Sequence, residues 1–271
     1  METIALRACA AADCAYLGGM TNLPTVPGPD LDVEIAALAY AWGRANGPFL
    51  KLINRFGSSV EAQMSRLPDS VRVELERAVA RALETAHGLA AVGRRAPDLG
   101  PRGATYAAMA TGAAGGAAGL AGSLVELPLT ITVMLHAIRR QAQAAGYDPD
   151  DPAIRLACLE VFSAGSPLRS DDGVNTAFLS ARLTVAGGTL QRVLAVVVPR
   201  LAAVFGQKLA AQAVPVLGAV TGAALNAAFL NYYREIARIK FRLMRLSEVH
   251  GTEAVLTGFA AARTSPVLTA T

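Results

Sequence analysis

Charged side chains are scarce in this chain of 271 residues: Asp, Glu, Lys and Arg make up 17% of it, against about 25% in an ordinary soluble domain. Aromatic residues are also few, at 6% with one tryptophan, and β-branched residues are thinly spread, so the material for a packed sheet is missing. The three cysteines, Cys9, Cys14 and Cys158, are an odd number without CxxC spacing. That argues against a disulfide framework and a cysteine zinc site, and it fits a reducing compartment. His87, His136 and His250 lie in separate segments with no HExxH pattern, and Asp148, Asp150 and Asp151 lack the alternation, glycine and terminal glutamate of a calcium loop, so no metal site is expected. No glycine run leads from a strand into a GK[ST] sequence, which leaves no nucleotide cofactor to expect. A formal excess of only four positive charges, with Trp42 alone and no basic patch interleaved with aromatics, speaks against nucleic acid. Glu2 precedes any basic residue and no continuous apolar run follows, so a secretory signal is not expected and the cytoplasm is.

What the chain does hold is helix-forming sequence. Hydrophobic residues reach 53%, much of the excess being alanine, and Ala, Leu, Arg and Glu dominate every long segment. The expected class is all-α, a single compact multi-helix domain over 31–271, preceded in 1–30 by a helix at 2–18 and a Pro/Gly-rich loop. Asp30 caps a helix over 31–46, which Gly47 and Pro48 should interrupt before a short helix at 49–56. Pro68, Asp69 and Ser70 open an amphipathic helix in which Leu75, Val79, Ala82 and Leu83 recur at helical spacing. Asp151 reads as the cap of a helix running to about Ala164, with Pro152 in its first position. A polar loop at 165–173 and helices at 174–186 and 189–207 follow.

Two blocks in this pattern are nearly free of charge. From Gly103 to Ile138 the one formally charged residue is Glu126, and Gly112, Gly115, Gly116, Gly119 and Gly122 crowd the first half. Each glycine costs a helix interior about 1 kcal/mol relative to alanine, so five need a compensating gain. Close helix contact supplies one, and Gly112 with Gly116, like Gly115 with Gly119, repeats the small-xxx-small pattern. Ser123 to Glu126 has capping-box spacing and Pro128 follows, which predicts a break there and a hairpin or in-plane pair rather than one long rod. Leu209 to Tyr233 is the second block, twenty-five uncharged residues containing Pro215, Gly218 and Gly222, long enough on paper to span a bilayer. These two Gly/Ala-rich blocks are expected to pack against each other at the centre, burying Gly116 and Gly222.

Directly after the second block, Arg234, Arg238, Arg242 and Arg245 fall on one helical face, with Ile236, Ile239, Leu243 and Leu246 on the other. An anionic lipid surface would attract such a stripe by about 1 kcal/mol per basic side chain; the bland alternative is a solvated face of a core helix. Glu126 is the polar residue that stands out. A lone carboxylate in an apolar block, if buried, has to be neutral, hydrogen-bonded or paired, and Arg139, Arg140 or a residue of the 174–207 helices could pair with it. Ser123, Glu126 and His136 do not make a triad. Ten residues of helix separate Glu126 from His136 by about 15 Å, and Val125 stands where a nucleophile elbow needs glycine.

Several runs in this order resemble the EcsC family. They are Gly112-Ala-Ala-Gly-Gly-Ala-Ala-Gly, Val125-Glu-Leu-Pro-Leu-Thr, Met134 through Gly146-Tyr147-Asp148, and Cys158-Leu-Glu-Val-Phe. Lys208, Ala213-Val-Pro-Val-Leu-Gly-Ala, Gly222, Asn226 and the helix from Phe229 to Phe241 agree with the family's second apolar block and its following basic helix. The resemblance implies a bacterial helical protein, named after a gene neighbour of an ABC transporter and connected with membranes; it supplies no catalytic residues.

The reading is therefore a non-enzymatic, membrane-associated helical protein on the inner face of the cell membrane. It would bind lipid or a membrane-protein partner through its apolar blocks, with the basic helix at 234–245 against the cytoplasmic leaflet. Two alternatives stand beside it: a hydrolase-like site around Glu126 drawing on Asn226 and Arg139, and a wholly soluble helical scaffold.

Overall fold

The computed structural model describes residues 30–56, 69–92, 100–117, 119–164, 189–211 and 218–264. The expected helix at 2–18, the loops at 18–29 and 165–173, the helix at 174–186 and the surroundings of Pro215 lie outside them. Among the described residues there are eight α-helices and no strand, which makes the protein all-α. They are α1 (Leu31–Phe56), α2 (Asp69–Val92), α3 (Gly100–Ala117), α4 (Gly119–Ala144), α5 (Pro152–Glu160), α6 (Leu190–Ala211), α7 (Gly218–His250) and α8 (Thr252–Thr264). A single 3₁₀ turn, Val161–Ser163, extends α5.

The long helix α7 is the axis of the domain. It packs against the α3–α4 hairpin, its pairing with α3 being the most extensive among the described helices, and also against α1 and α8, which pack on each other. Helix α2 closes over α4, and α6 packs on α2 and α5. Wrapped in this way, α7 buries Leu225, Phe229, Leu230, Tyr232, Tyr233, Ile236, Ile239, Phe241, Leu243 and Leu246. Among its described side chains it reaches solvent fully only along Asn231, Arg238, Arg242 and Arg245 and its last turn, apart from the exposed Val220 near its start. Trp42 of α1 meets Phe259 of α8 edge to face at 6.1 Å, and Arg263 lies over the Trp42 ring at 5.5 Å, so these flanking helices extend the single core of the domain.

Local chemistry sets the ends. Asp151 caps α5 by accepting from the backbone N–H groups of Ala153 and Ile154, with Pro152 in the first turn where its missing N–H is harmless. Helices α4 and α7 stop at Gly146 and Gly251, whose φ of 89° and 86° a side chain would disfavour. After α4, the Tyr147 N–H returns to the Ala142 carbonyl, closing the last turn.

Two expected breaks do not occur where the prolines stand. Helix α1 runs unbroken through Gly47 and Pro48. Pro128 sits inside α4, and the first apolar block is divided between α3, which ends at Ala117, and α4, which begins at Gly119 and runs on through 123–128. Proline removes one N–H and crowds one carbonyl, costs that a helix packed along its length can carry. Glu126 is drawn inward and is not spent on a cap. The second apolar block is shared between α6, which ends at Ala211, and α7, which begins at Gly218. Among the described residues no helix is long and apolar enough to cross a membrane.

Candidate functional site

Helices α3 and α4 are antiparallel, since Thr111 lies beside Thr130 and Gly115 beside Glu126. Helix α7 runs parallel to α4, with Asn226 level with Glu126 and Arg245 level with Gly146. The three helices thus bring one polar cluster together inside the apolar hairpin. Glu126 Oε1 accepts from Thr130 Oγ1 at 2.6 Å, from Asn226 Nδ2 at 2.6 Å and from Lys208 Nζ, on α6, at 2.9 Å. Asn226 Nδ2 also lies 3.2 Å from both Thr111 Oγ1 and Thr130 Oγ1. The pair is almost wholly out of water: the side chains of Lys208 and Glu126 are 1% and 5% exposed.

Burial pushes the Lys208 ammonium below its ordinary range, and the Glu126 carboxylate opposes that shift by charge and by its hydrogen bond. The Phe205 ring, 5.8 Å from Nζ, covers the lysine further. Glycine makes the arrangement possible. A Cβ on Gly115 would stand 1.8 Å from Glu126 Oε2, and one on Gly112 would stand 2.2 Å from the Gly222 carbonyl oxygen and 2.8 Å from Asn226 Nδ2. So Gly115 gives the carboxylate its place, and Gly112 lets the α7 backbone come close. Gly116 and Gly222 are both buried, while Gly119 and Gly218 open α4 and α7.

Such a cluster can fix three helices in register. It is poorly placed for acid–base work, because a general acid or base has to come within hydrogen-bond reach of a substrate, whereas Glu126 has three donors on Oε1 and its other oxygen, though without a partner among the described residues, is buried. Asn226 does join Glu126, but Arg139 does not: its Nη2 bonds Asp150 Oδ1 at 2.6 Å, thirteen residues or about 20 Å further along α4. The carboxylate's partner is neither Arg139 nor Arg140 but Lys208, just beyond the helices first considered. A sequence signal for it existed. Glu126 and Lys208 are lone charges of opposite sign, one inside the first uncharged block and one on the border of the second. Thr111 and Thr130 gave no such signal.

The arginine stripe is largely compensated by the protein itself. Arg238 pairs with Glu235 at 2.6 Å, Arg245 with Glu248 at 2.8 Å, and Arg242 with Glu34 of α1. Arg245 also lies over the Tyr147 ring, and Tyr147 donates to Glu248. Arg234 bonds the neutral Asn231, so it alone of the four has no carboxylate partner among the described residues. Among the described residues no cluster of His, Cys, Asp or Glu is arranged to hold a metal ion.

No curated protein and no solved structure matches the chain. The family model for the EcsC protein family matches residues 74–246, from within α2 to the late part of α7. That stretch includes the hairpin, the Glu126–Lys208 pair, Asn226 and the arginine stripe, and it takes up more than half of the sequence. On this match the chain belongs to the EcsC protein family.

Proposed function

We propose that this is a non-enzymatic, membrane-associated protein that inserts the closed end of its α3–α4 hairpin, with the start of α7, into the cytoplasmic side of a lipid bilayer. One observation carries the reading: this end of the molecule exposes apolar side chains and no described charge. Val125 is 81%, Leu129 55% and Val220 72% exposed, and the one carboxylate of the hairpin end is turned inward and paired. Fully burying side chains of this kind gains about 1.5–3 kcal/mol each, enough together for reversible interfacial binding. A hairpin tip also suits the helix lengths better than a crossing.

Three of the four stripe arginines already face carboxylates, so electrostatic attraction supplies closer to ~1 than ~4 kcal/mol, and burial of the tip dominates. Flotation with vesicles provides the test. The protein should float with them, keep most of its binding when salt shortens the Debye length from about 10 Å toward 3 Å, and come off in detergent. Val125→Glu with Leu129→Glu should abolish flotation without shifting the thermal midpoint. Arg238→Glu with Arg242→Glu should weaken it only at low salt. A protein that ignores vesicles of every composition would overturn the membrane reading in favour of a soluble scaffold.

A further inference from the structure

We propose that Arg139, Arg155 and His87 form a binding site for a phosphate-type oxyanion at the junction of α2, α4 and α5. Each arginine is held by one arm. Arg139 Nη2 donates to Asp150 Oδ1 at 2.6 Å, and Arg155 Nη2 donates to the His87 backbone carbonyl at 2.7 Å. That leaves Arg139 Nη1 and Arg155 Nε, both buried and both without a hydrogen-bond acceptor among the described residues. A charged donor taken out of water without an acceptor is costly, and two at one junction call for an acceptor that the described residues do not provide.

The local charge has the matching sign. Burial first, then Arg155 and then Arg139, hold the His87 imidazole below its ordinary value of 6.5, so both guanidinium groups act on the same ring. His136, one turn before Arg139, is lowered by burial and by that arginine too. The carboxylate bonded to these guanidiniums is Asp150, against two fixed positive charges. Planar guanidinium groups approaching from two helices suit a ligand with several oxygens and more than one negative charge, which describes a phosphate group better than a monocarboxylate. Phosphate could come free or on a lipid. The site lies about 20 Å along α4 from Glu126 and the apolar end, so a hairpin tip seated in a bilayer would leave it well above the head groups, which favours a soluble phosphate. Only that last step rests on the membrane reading; the site itself does not.

The experiment titrates inorganic phosphate into the full chain, following histidine ring resonances by NMR and heat by calorimetry, with chloride at matched ionic strength as the reference. The expected result is saturable heat and a rise in the His87 imidazole pKa, because a bound anion offsets the two arginines. Arg155→Gln should weaken binding by about tenfold or more, while Arg192→Gln on α6 should leave it unchanged. Should Arg155→Gln fail to fold, the His87 response of the unaltered protein still decides. Equal responses to phosphate and chloride, or none to either, would overturn the site. A His87 response to phosphatidate vesicles with none to inorganic phosphate would overturn the assignment to a soluble anion.

Discussion

Glu126 and Lys208 show what an ion pair costs and gives when water is excluded. Stripping two charges of solvent is expensive, and the pair repays it only through good geometry and added hydrogen bonds, here from Thr130 and Asn226. Glu126→Ala should therefore destabilise the fold by about 3–5 kcal/mol, since it leaves a buried ammonium and an amide without their acceptor. Replacing both partners, Glu126→Gln with Lys208→Met, removes both charges while keeping an acceptor for Asn226 and Thr130, and should recover most of that loss. Urea unfolding of the two single variants and the double variant measures the coupling. A double variant no more stable than the worse single one would mean that the pair contributes more than its charges. A retained fold with a lost activity in Glu126→Ala would instead favour an enzyme.

At the scale of the helices, the glycines of the first block have different tasks. Gly112 and Gly115 face a backbone carbonyl and a carboxylate at distances no Cβ can hold, whereas Gly43 of α1 and Gly88 of α2 have open space around them. Alanine at Gly43 or Gly88 should stabilise by about 0.5–1 kcal/mol, because the helix loses only glycine's entropic penalty. At Gly115 alanine should displace the Glu126 carboxylate and approach the cost of losing the pair, about 3 kcal/mol. Gly112→Ala forces α3 away from α7, which no rotation of a side chain can relieve. Thermal melts of the four variants would separate the two classes, and a neutral Gly115→Ala would contradict the geometry. The helix-period spacing of Leu75, Val79, Ala82 and Leu83 was legible in the sequence, as was the Asp151–Pro152 start of α5, because both depend on neighbours within one or two turns. The breaks at Pro48 and Pro128 were misplaced, since whether a proline ends a helix depends on what packs around it.

For the molecule as a whole, acid is the informative variable. His87 and His136 both have folded pKa values below 6.5, burial being the first cause in each case. Between those values and 6.5 the unfolded chain binds more protons than the folded one, so stability falls with falling pH. Their contribution is complete above about pH 6.5 and is lost as pH drops through the folded pKa values. Unfolding midpoints between pH 8 and pH 5 in phosphate-free buffer should fall, and more gently in His136→Asn. An unchanged slope in that variant would show that His136 contributes nothing to the acid limb. Phosphate, if it binds as proposed, should raise the midpoint across the same range by mass action.

Composition alone determined the all-α class: with few aromatic and β-branched residues and an abundance of alanine and leucine, helices were the elements this chain could build. The order of motifs carried the family as well. Position along one helix also placed the four arginines on a common face, because a 3.6-residue period needs no partner to be read. Tertiary structure alone decided which charges remain open. Glu34 is 208 residues from Arg242 and Lys208 is 82 from Glu126, and nothing local couples them. Only packing α1, α4 and α6 around α7 brings those charges within reach, turning an apparent lipid-facing stripe into ion pairs and a lone carboxylate into the polar centre of the hairpin.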